Sequence, residues 1–441
     1  MHFSKRTFLE VLLRLMARAV LAKYHPIIVG VTGSVGKSSA KEAIALVLAH
    51  SYRVRKSEGN YNNEIGIPLT ILGEKSGGRS LIRWALILFR FIGTLVLPRR
   101  YPEVLVLEMG IDHPGDMDYL LSFVPVNIGV ATHISGSHMA YFGSIANIAR
   151  EKGRLIAKLP EDGFAILNAD DKRILKMAER TRAKIITYGF SEGADLRADN
   201  LLFYGDARRA DGYSLKLNHS GKTIPLRLPS IIARHHIPAA LAGAAVGIAL
   251  KMNLVEIASA LENFEPLPGR LSLFPGRNDT VLLDDTYNAS PASTRAALQV
   301  LQEMSAPRKL AVLGDMLELG PDSDNEHAAL APDIMHAGVH MLVLVGKHMR
   351  ALHDALLEEG FARKQLLWLP DPYAAIEAMQ QIIRPGDLIL IKGSQGLRME
   401  FIVEQLLREP GIAPERLCRQ SAAWKNKRFA PPEEWTEELK G

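Results

Sequence analysis

Short apolar runs alternate with amphipathic helical stretches along most of this chain. In the first half, such runs occupy 26–31, 103–107, 126–132 and 165–167. After residue 269 the alternation restarts, with runs at 280–283, 310–313, 341–345, 365–369 and 388–391. Strands that alternate with helices are typical of open, mostly parallel sheets with helices packed on their faces. The pattern therefore predicts an α/β fold with a doubly wound, mostly parallel sheet, followed by a second open α/β sheet.

Changes in this pattern divide the chain. Residues 185–230 carry short alternating runs, which predict antiparallel β-hairpins appended to the first sheet. The segment 267–270, Leu-Pro-Gly-Arg, is typical of a domain boundary. The last thirty or so residues are rich in proline and charge, so we expect a loosely packed tail. The predicted units are an amphipathic helix, a central domain with a hydrophobic insertion, a second domain of Rossmann-like type and the tail, at 1–25, 26–268 (insertion 76–101), 269–410 and 411–441.

One loop carries the clearest chemical signal. Residues 29–39 read Val-Gly-Val-Thr-Gly-Ser-Val-Gly-Lys-Ser-Ser and lie between a predicted strand and a predicted helix that starts at Lys37. Backbone N–H groups and a helix N-terminus can hold phosphates there, while Lys37 supplies positive charge and Ser38 can hold Mg²⁺. Val31 stands where the P-loop pattern has its first glycine, so an ordinary strand-to-helix loop is the alternative. The proposed nucleotide-binding residues are Gly33, Ser34, Val35, Gly36, Lys37, Ser38 and Ser39.

A second strand ends in a carboxylate. The run before Glu108 is apolar, and an acid at a strand end beside a P-loop is a usual second ligand for Mg²⁺. The alternative is a solvated strand end. Asn62 and Asn63 lie in the polar, glycine-containing segment 60–68, which we predict to be a loop.

Composition excludes several classes of protein. The chain has 441 residues, of which 47% are hydrophobic and 23% charged, so it is neither disordered nor fibrous. Its one cysteine, Cys418, excludes an intramolecular disulfide and a cysteine-based zinc site. The net charge is +5, but no basic stripe with interleaved aromatic residues is present, so nucleic acid is not an expected partner. Because a P-loop needs ATP or GTP, we expect a cytoplasmic protein.

Two apolar segments have alternatives that the residues leave open. In 1–22, basic and acidic side chains recur every four residues, as in a helix packed on the domain or a basic helix on a membrane surface. In 79–100, the run 81–97 is almost wholly apolar but contains Arg90 near its middle. Because an arginine at the centre of a spanning helix costs about 2.5–3.5 kcal/mol, a spanning helix is not expected. A buried helical hairpin, a contact with another subunit and a contact with a membrane surface remain, and we favour the two contacts over the buried hairpin. The protein would then be peripheral at the inner membrane face.

The ordered motifs of residues 27–408 resemble those of the Mur ligase family, most closely its D-alanyl-D-alanine-adding branch. The motifs lie at 32–38, 62–68, 108–110, 138, 142–144, 152–153, 168–170, 268–270, 284–291, 314–320 and 392–394. The resemblance implies an ATP-dependent amide ligase of cell-wall precursor synthesis. A carboxylate of a UDP-linked sugar-peptide would be phosphorylated, and the amine of an amino acid or dipeptide would attack the acyl phosphate, releasing ADP and phosphate.

The resemblance also implies roles for individual residues. Lys37 would grip the phosphates, and Ser38 with Glu108 would hold one Mg²⁺. His138 and a carbamylated Lys152 would serve a second Mg²⁺, although from the residues alone Lys152 is a solvated lysine on a helix surface.

Residues of the second half would complete the site when the domains close. Arg270 would reach the γ-phosphate, while Asp285 and Asn288 would contact the ribose and adenine region. Without the resemblance, Arg270, Asp285 and Lys392 have an alternative as members of surface ion pairs. The substrate-binding residues would be Asn62, Asn63, Asp315, Glu318, Lys392 and Ser394.

The chain departs from the family pattern at three places. The P-loop begins near residue 30, where the family usually has a preceding UDP-sugar-binding domain. The adenine-side motif His-Asn-x-x-Asn is replaced at 235–239 by His-His-Ile-Pro-Ala, and Ala140 stands where an acid is usual. Two alternatives follow, a ligase with another acceptor, similar to folylpolyglutamate synthase, or a non-catalytic nucleotide-binding scaffold. The retained phosphate and metal residues favour an active enzyme.

Overall fold

The computed structural model describes residues 5–59, 61–78, 80–98, 100–136, 139–206 and 209–426. The chain forms two compact units. The first contains the described residues of 1–202, 214–228 and 235–264, and the second contains those of 203–213, 229–234 and 265–426. His138, positions 79 and 99 of the apolar segment, and residues 427–441 of the predicted tail lie outside the described residues.

The first sheet has nine strands in the described part of the chain, in the order β2-β3-β1-β4-β5-β6-β7-β8-β9. Strand β1 pairs in parallel with both β3 and β4, and the parallel ladder continues through β5 and β6. The strands are β1 Ile27–Thr32, β2 Val54–Lys56, β3 Val104–Glu108, β4 Ile128–Ala131, β5 Phe164–Asn168, β6 Lys184–Gly189, β7 Leu196–Asp206, β8 Arg209–His219 and β9 Lys222–Leu228.

Helices pack on both faces of the parallel part of this sheet. Helices α2 and α9 meet closely at Gly243, where an added Cβ would lie 2.9 Å from the backbone of Ala43. Helix α1 buries Leu13, Met16 and Val20 in the core, so it is packed on its unit along one face. The helices are α1 Lys5–Tyr24, α2 Lys37–Ala49, α3 Gly66–Leu72, α4 Leu81–Val96, α5 Asp116–Leu121, α6 Met139–Phe142, α7 Ile145–Ala157, α8 Lys172–Leu175, α9 Ile237–Ala249 and α10 Leu254–Leu261.

The second sheet has the order β10-β11-β15-β12-β13-β14 over the residues described. All neighbours are parallel except the edge strand β10, which runs antiparallel to β11. The strands are β10 Ser272–Pro275, β11 Val281–Asp285, β12 Arg308–Gly314, β13 Met341–Val345, β14 Leu366–Leu369 and β15 Asp387–Lys392. The helices are α11 Pro291–Glu303, α12 Ser323–Ala328, α13 Ala331–His336, α14 Met349–Glu358, α15 Pro372–Ile382, α16 Glu400–Leu406, α17 Ala413–Arg416 and α18 Ala422–Lys425.

The predicted α/β class and the nine strands predicted from apolar runs are confirmed, while three local predictions are wrong. Strand β6, which we placed among antiparallel hairpins, pairs in parallel with β5 and β7. The segment 60–68 is not a loop throughout, because α3 already begins at Gly66. The described part of the tail is packed, with Ala413, Leu417 and Cys418 buried. In the described chain, no helix is both long enough and apolar enough to cross a membrane.

Candidate active site

Two glycines fix the shape of the loop between β1 and α2. Gly33 has a φ of 147°, and a Cβ added there would lie 2.0 Å from the Thr132 hydroxyl oxygen. Gly36 has a φ of 84° and directly precedes the first helical residue, Lys37. Residues that carry a Cβ atom rarely adopt such φ angles. The sequence therefore turns sharply into the N-terminus of α2, whose first N–H groups have no acceptor within the helix.

The loop is tied to its own lysine and to the end of β4. Lys37 Nζ donates to the carbonyl oxygens of Gly33, at 2.8 Å, and Ser34, at 3.3 Å. The Thr132 hydroxyl donates to the Val35 carbonyl at 2.7 Å, and the Ser34 N–H donates to the His133 carbonyl at 2.6 Å. Ser38 and Ser39 are half-buried in the first turn of α2. These contacts fix the conformation of the loop and hold the Lys37 ammonium group against it. A positive charge beside a helix N-terminus suits phosphate binding.

Glu108 lies beside the loop because β1 and β3 pair in register, with Val31 opposite Glu108. The alternative interpretation of Glu108 as a solvated strand end is wrong, because Glu108 is only 3% exposed. Its Oε1 accepts from the Asn62 side-chain amide at 3.4 Å, and Lys41 Nζ lies 3.9 Å from Oε2. Among the described residues, no donor makes a hydrogen bond to Oε2. A buried carboxylate oxygen in this state is costly by itself and suits a divalent cation.

Asn62 and Asn63 have different places in the structure. The Asn62 side chain contacts Glu108, and its carbonyl accepts from the Gly110 N–H at 3.0 Å. Asn63 Oδ1 instead accepts from the Gly66 N–H at 2.9 Å, at the beginning of α3. Asn62 therefore belongs to the group around Glu108, while Asn63 stabilises the local helix start.

Lys152 is on α7 but is not a surface lysine, because it is only 2% exposed. Burial lowers the pKa of its amine to about 7, the positive charge of Lys37 acts in the same direction, and Asp112 and Glu151 oppose it. The neutral amine is therefore accessible near neutral pH, unlike that of an exposed lysine. The sequence alone gave no sign of this burial, since the preceding and following residues, Glu151 and Gly153, are compatible with an exposed helix face.

The proposed second metal site is only partly described. His138 lies outside the described residues, as does the side chain of Ala140. The residues that the structure does describe contain no group of three or more His, Cys, Asp and Glu side chains that could hold a metal ion. Glu151, next to Lys152, accepts instead from the backbone N–H of Gly115 at 2.8 Å.

At the altered adenine-side motif, the two histidines are in contact. The rings of His235 and His236 are 4.5 Å apart in an edge-on arrangement, and His236 is buried directly before α9.

In the second unit, Asp285 and Lys392 form a buried ion pair. They lie opposite each other where β11 and β15 end, and Lys392 Nζ donates to Asp285 Oδ2 at 2.6 Å and to the Asn288 carbonyl at 2.9 Å. Both residues are buried, so the surface ion pair is wrong for them. The resemblance assigned Asp285 and Asn288 to the nucleotide and Lys392 to the amine substrate, and the structure brings all three together.

Asp315 and Ser394 are joined through their backbones at the ends of β12 and β15. The Ser394 N–H donates to the Asp315 carbonyl at 3.1 Å, and Asp315 Oδ1 accepts from the Met349 N–H at 2.9 Å. Burial raises the pKa of the Asp315 carboxyl above its usual range. Over the described chain, no donor makes a hydrogen bond to Asp315 Oδ2. Glu318 is exposed and has a left-handed backbone, with a φ of 66°.

Arg270 is half-buried and stacks on an aromatic ring. Its guanidinium lies 4.3 Å from the centre of the Tyr287 ring, and its Nε is buried without an acceptor in the described structure. A buried donor in this state fits an anionic ligand such as a phosphate.

Three buried charged residues of the second unit, Arg398, Glu400 and Arg419, were not predicted from the sequence. Glu400 is fully buried and accepts from Arg398 Nε at 2.9 Å and from Arg419 Nη2 at 2.7 Å. Arg419 also donates to the carbonyl oxygens of Thr286, at 2.5 Å, and Tyr287, at 2.9 Å. It therefore holds the loop that follows Asp285. A charge-rich tail carries no pattern that distinguishes a buried arginine from a solvated one.

Comparison with known proteins finds relatives that share most of the length of this chain. The Escherichia coli (strain K12) "UDP-N-acetylmuramoyl-tripeptide--D-alanyl-D-alanine ligase" is 32% identical over 385 residues, which cover 86% of this chain and 76% of that protein. The solved structure of MurF from Acinetobacter baumannii is 26% identical with a TM-score of 0.76, over 91% of this chain and 81% of that one.

A more distant structure, Mycobacterium tuberculosis folylpolyglutamate synthase complexed with ADP, shares the fold at a TM-score of 0.61 and 18% identity, over 89% of this chain and 94% of that one. Two family descriptions match this sequence, the "Mur ligase middle domain" over 31–82 and 93–247, and the "Mur ligase, glutamate ligase domain" over 269–395. The chain therefore belongs to the Mur ligase family.

Proposed function

We propose that this protein is an ATP-dependent, ADP-forming ligase that adds D-alanyl-D-alanine to a UDP-N-acetylmuramoyl-tripeptide. The observation that carries the proposal is the buried Glu108 carboxylate, which lies at the end of β3 in register with the strand that enters the P-loop. The E. coli relative, named for the same activity, supports this choice of substrates.

The reaction must bring two anions together and then protect a reactive intermediate. A carboxylate oxygen of the substrate attacks the γ-phosphorus of ATP, so that an O–P bond forms and the bond between the γ-phosphorus and the oxygen of ADP breaks. The neutral dipeptide amine then attacks the acyl carbon and the amide C–N bond forms. Phosphate leaves with the electron pair of the broken C–O bond, and the amine proton passes to solvent. Lys37 and the loop N–H groups hold the nucleotide phosphates in place for the first step.

Ser38 and Glu108 are the residues that would hold one Mg²⁺. Glu108 Oε2 fits such an ion because it is a buried anionic oxygen that no donor in the described chain satisfies. When bound, Mg²⁺ neutralises phosphate charge during transfer. The protein residues keep Glu108 in position through the β1–β3 ladder and through the Asn62 amide.

Lys152 is proposed to be carbamylated and, with His138, to hold a second Mg²⁺. A neutral amine adds to CO₂, the N–C bond forms and a proton leaves to solvent. Because burial lowers the pKa of Lys152 to about 7, the neutral amine is present near neutral pH. The product is a carboxylate, which converts a lysine into a ligand that prefers Mg²⁺.

The second unit is proposed to bind the nucleotide and the incoming amine. Arg270 would contact the γ-phosphate through its buried Nε, and Asp285 and Asn288 would contact the ribose and adenine region. On the amine side we place Asp315, Glu318, Lys392 and Ser394, while Asn62 and Asn63 would contact the acceptor.

We further propose that the protein acts in the cytoplasm, where ATP and UDP-linked precursors are available, and that it is peripheral at the membrane. The segments 1–22 and 79–100 would contact a membrane surface or another subunit. The exposed apolar side chains of α4 support a contact of this kind.

Phosphate release from Mg-ATP tests the function. We expect release only when both UDP-N-acetylmuramoyl-tripeptide and D-alanyl-D-alanine are present. Release that needs glutamate and a folate in their place would favour the folylpolyglutamate-synthase-like alternative. ATP binding without release under any substrate combination would favour the non-catalytic scaffold.

A further inference from the structure

Helix α4 presents a continuous apolar face to solvent. Within Leu81–Val96, all of which the structure describes, Ile87 is the one fully buried residue. At 100° per residue, six exposed side chains fall within about 120° of the helix circumference, and several are far more exposed than core packing allows, such as Ile82 at 76% and Phe89 at 74%. We call this set the α4 face: Leu81, Ile82, Leu88, Phe89, Ile92 and Val96.

The α4 face is held in place from behind. Trp84, Phe91 and Leu95 pack against the core of the first unit. At the C-terminal end, Lys23 Nζ donates to the carbonyl oxygens of Thr94, at 3.0 Å, and Leu95, at 2.8 Å. The helix is therefore a fixed amphipathic element rather than a frayed segment, and its apolar side points outward.

The sequence around this apolar face is rich in positive charge. Residues 75–102 contain six basic residues and no acidic residue. Arg83 and Arg90 are exposed about 80–100° beyond the edge of the α4 face around the helix axis. Long arginine side chains can extend along an apolar surface while keeping the guanidinium at the level of polar groups. Arg90 also contacts Glu74 at 2.9 Å, beside the helix.

The charge pattern distinguishes two kinds of occupant. A twofold contact with a second copy would place the same patch on both subunits, so the net positive charge of residues 75–102 would face itself. A surface of anionic phospholipid offers acyl chains to the apolar side chains and negative headgroups to the arginines. A helix of 16 residues is about 24 Å long, shorter than the roughly 30 Å hydrocarbon core. It therefore suits the interface plane.

We propose that α4 docks the protein on an anionic phospholipid bilayer, with the α4 face inserted among the acyl chains and the flanking arginines among the headgroups. This inference rests on the contact proposed above for 79–100 and assigns it to an anionic bilayer rather than another subunit, and it does not depend on the ligase activity.

Vesicle flotation of the full chain tests the proposal. We expect flotation with vesicles of phosphatidylglycerol and phosphatidylcholine. The variant Ile82→Ser/Phe89→Ser/Val96→Ser should bind these vesicles at least about tenfold more weakly, because three apolar side chains are lost from the interface. A matched control, Leu202→Ser/Val255→Ser, changes exposed apolar side chains on β7 and α10 and should bind within about twofold of the unaltered protein.

Charge variants test the headgroup contact. Arg83→Gln/Arg100→Gln should weaken binding to anionic vesicles by about 25-fold, at about fivefold per charge, and should leave binding to pure phosphatidylcholine unchanged. Equal flotation of the unaltered protein and the triple serine variant would overturn the proposal. The proposal would also be overturned if the unaltered protein were a dimer that does not bind vesicles and the triple serine variant were a monomer.

A labelled variant keeps the test valid even if the triple variant misfolds. Cys418 is buried, so a polarity-sensitive dye on Phe89→Cys reports the α4 face. Its emission should shift to the blue with anionic vesicles, whereas the dye on Val255→Cys should not respond. No shift at position 89 contradicts insertion. Ligase turnover with soluble substrates should be equal in all variants, so a failed proposal here is distinguishable from a failed ligase assignment.

Discussion

Arg419 offers a sharp test of how the end of the chain supports the candidate site. Its side chain is 5% exposed and makes three hydrogen bonds, to the Glu400 carboxylate and to the carbonyl oxygens of Thr286 and Tyr287. Arg419→Met keeps much of the side-chain volume and removes all three. Losing the charged bond costs about 1.5–3 kcal/mol and each carbonyl bond about 1 kcal/mol. We therefore expect the free energy of unfolding to fall by about 3.5–5 kcal/mol, in the range for one broken buried ion pair.

Urea denaturation followed by circular dichroism measures this loss. The matched control is Arg416→Met, because Arg416 pairs with Glu265 at 3.1 Å while both side chains are about half exposed. An exposed pair contributes less than about 1 kcal/mol, so the control should be nearly as stable as the unaltered protein. If the two variants differ by less than about 1 kcal/mol, the reasoning from burial and contacts is refuted. ATP binding should also weaken more in Arg419→Met, since Thr286 and Tyr287 directly follow Asp285.

Three further predictions concern the candidate site itself. Lys152→Ala should abolish phosphate release, with partial rescue by short carboxylic acids, and undiminished turnover would contradict a carbamate at this position. Because the pKa of Lys152 is lowered to about 7, the neutral fraction of its amine grows as the pH rises through that value. Bicarbonate should therefore activate CO₂-depleted enzyme more at about pH 8 than at about pH 6. Equal activation at both pH values would exclude carbamylation through the neutral amine. Lys392→Met leaves the Asp285 carboxylate buried without its cation and should destabilise the protein by about 3–5 kcal/mol in thermal unfolding. The double variant Lys392→Met/Asp285→Asn should recover part of that loss, and a double variant no more stable than the single one would show that pairing is not the cause.

The elements themselves could be predicted from local pattern. Continuous apolar runs such as 310–313 and 341–345 became the parallel strands β12 and β13 because a strand covered on both faces needs apolar side chains at every position. The turn before α2 was predictable for the same local reason, because the glycines at 33 and 36 lie where the backbone takes positive φ values. Edge strand β10 was missed because it is only four residues long and ends in proline.

No local sequence pattern predicted which charged side chains are buried. Lys152 appeared solvated in sequence, and its burial depends on how α7 packs over the sheet. Asp285 and Lys392 are 107 residues apart in the chain and meet because β11 and β15 are neighbours in register. Arg419 is 133 residues from Thr286, and no periodicity connects them.

Local sequence was therefore enough to predict nine of the strands and the glycine turn into α2, because each depends on residues close together along the chain. Tertiary packing sets which charged side chains are buried, which of them form pairs, and which apolar helix remains at the surface. Those outcomes depend on strand order and on crossovers between distant segments, so they are properties of packing rather than of any local stretch. The α4 face shows the same distinction: its apolar character was visible in sequence, but only packing decided that Trp84 points inward and Phe89 outward.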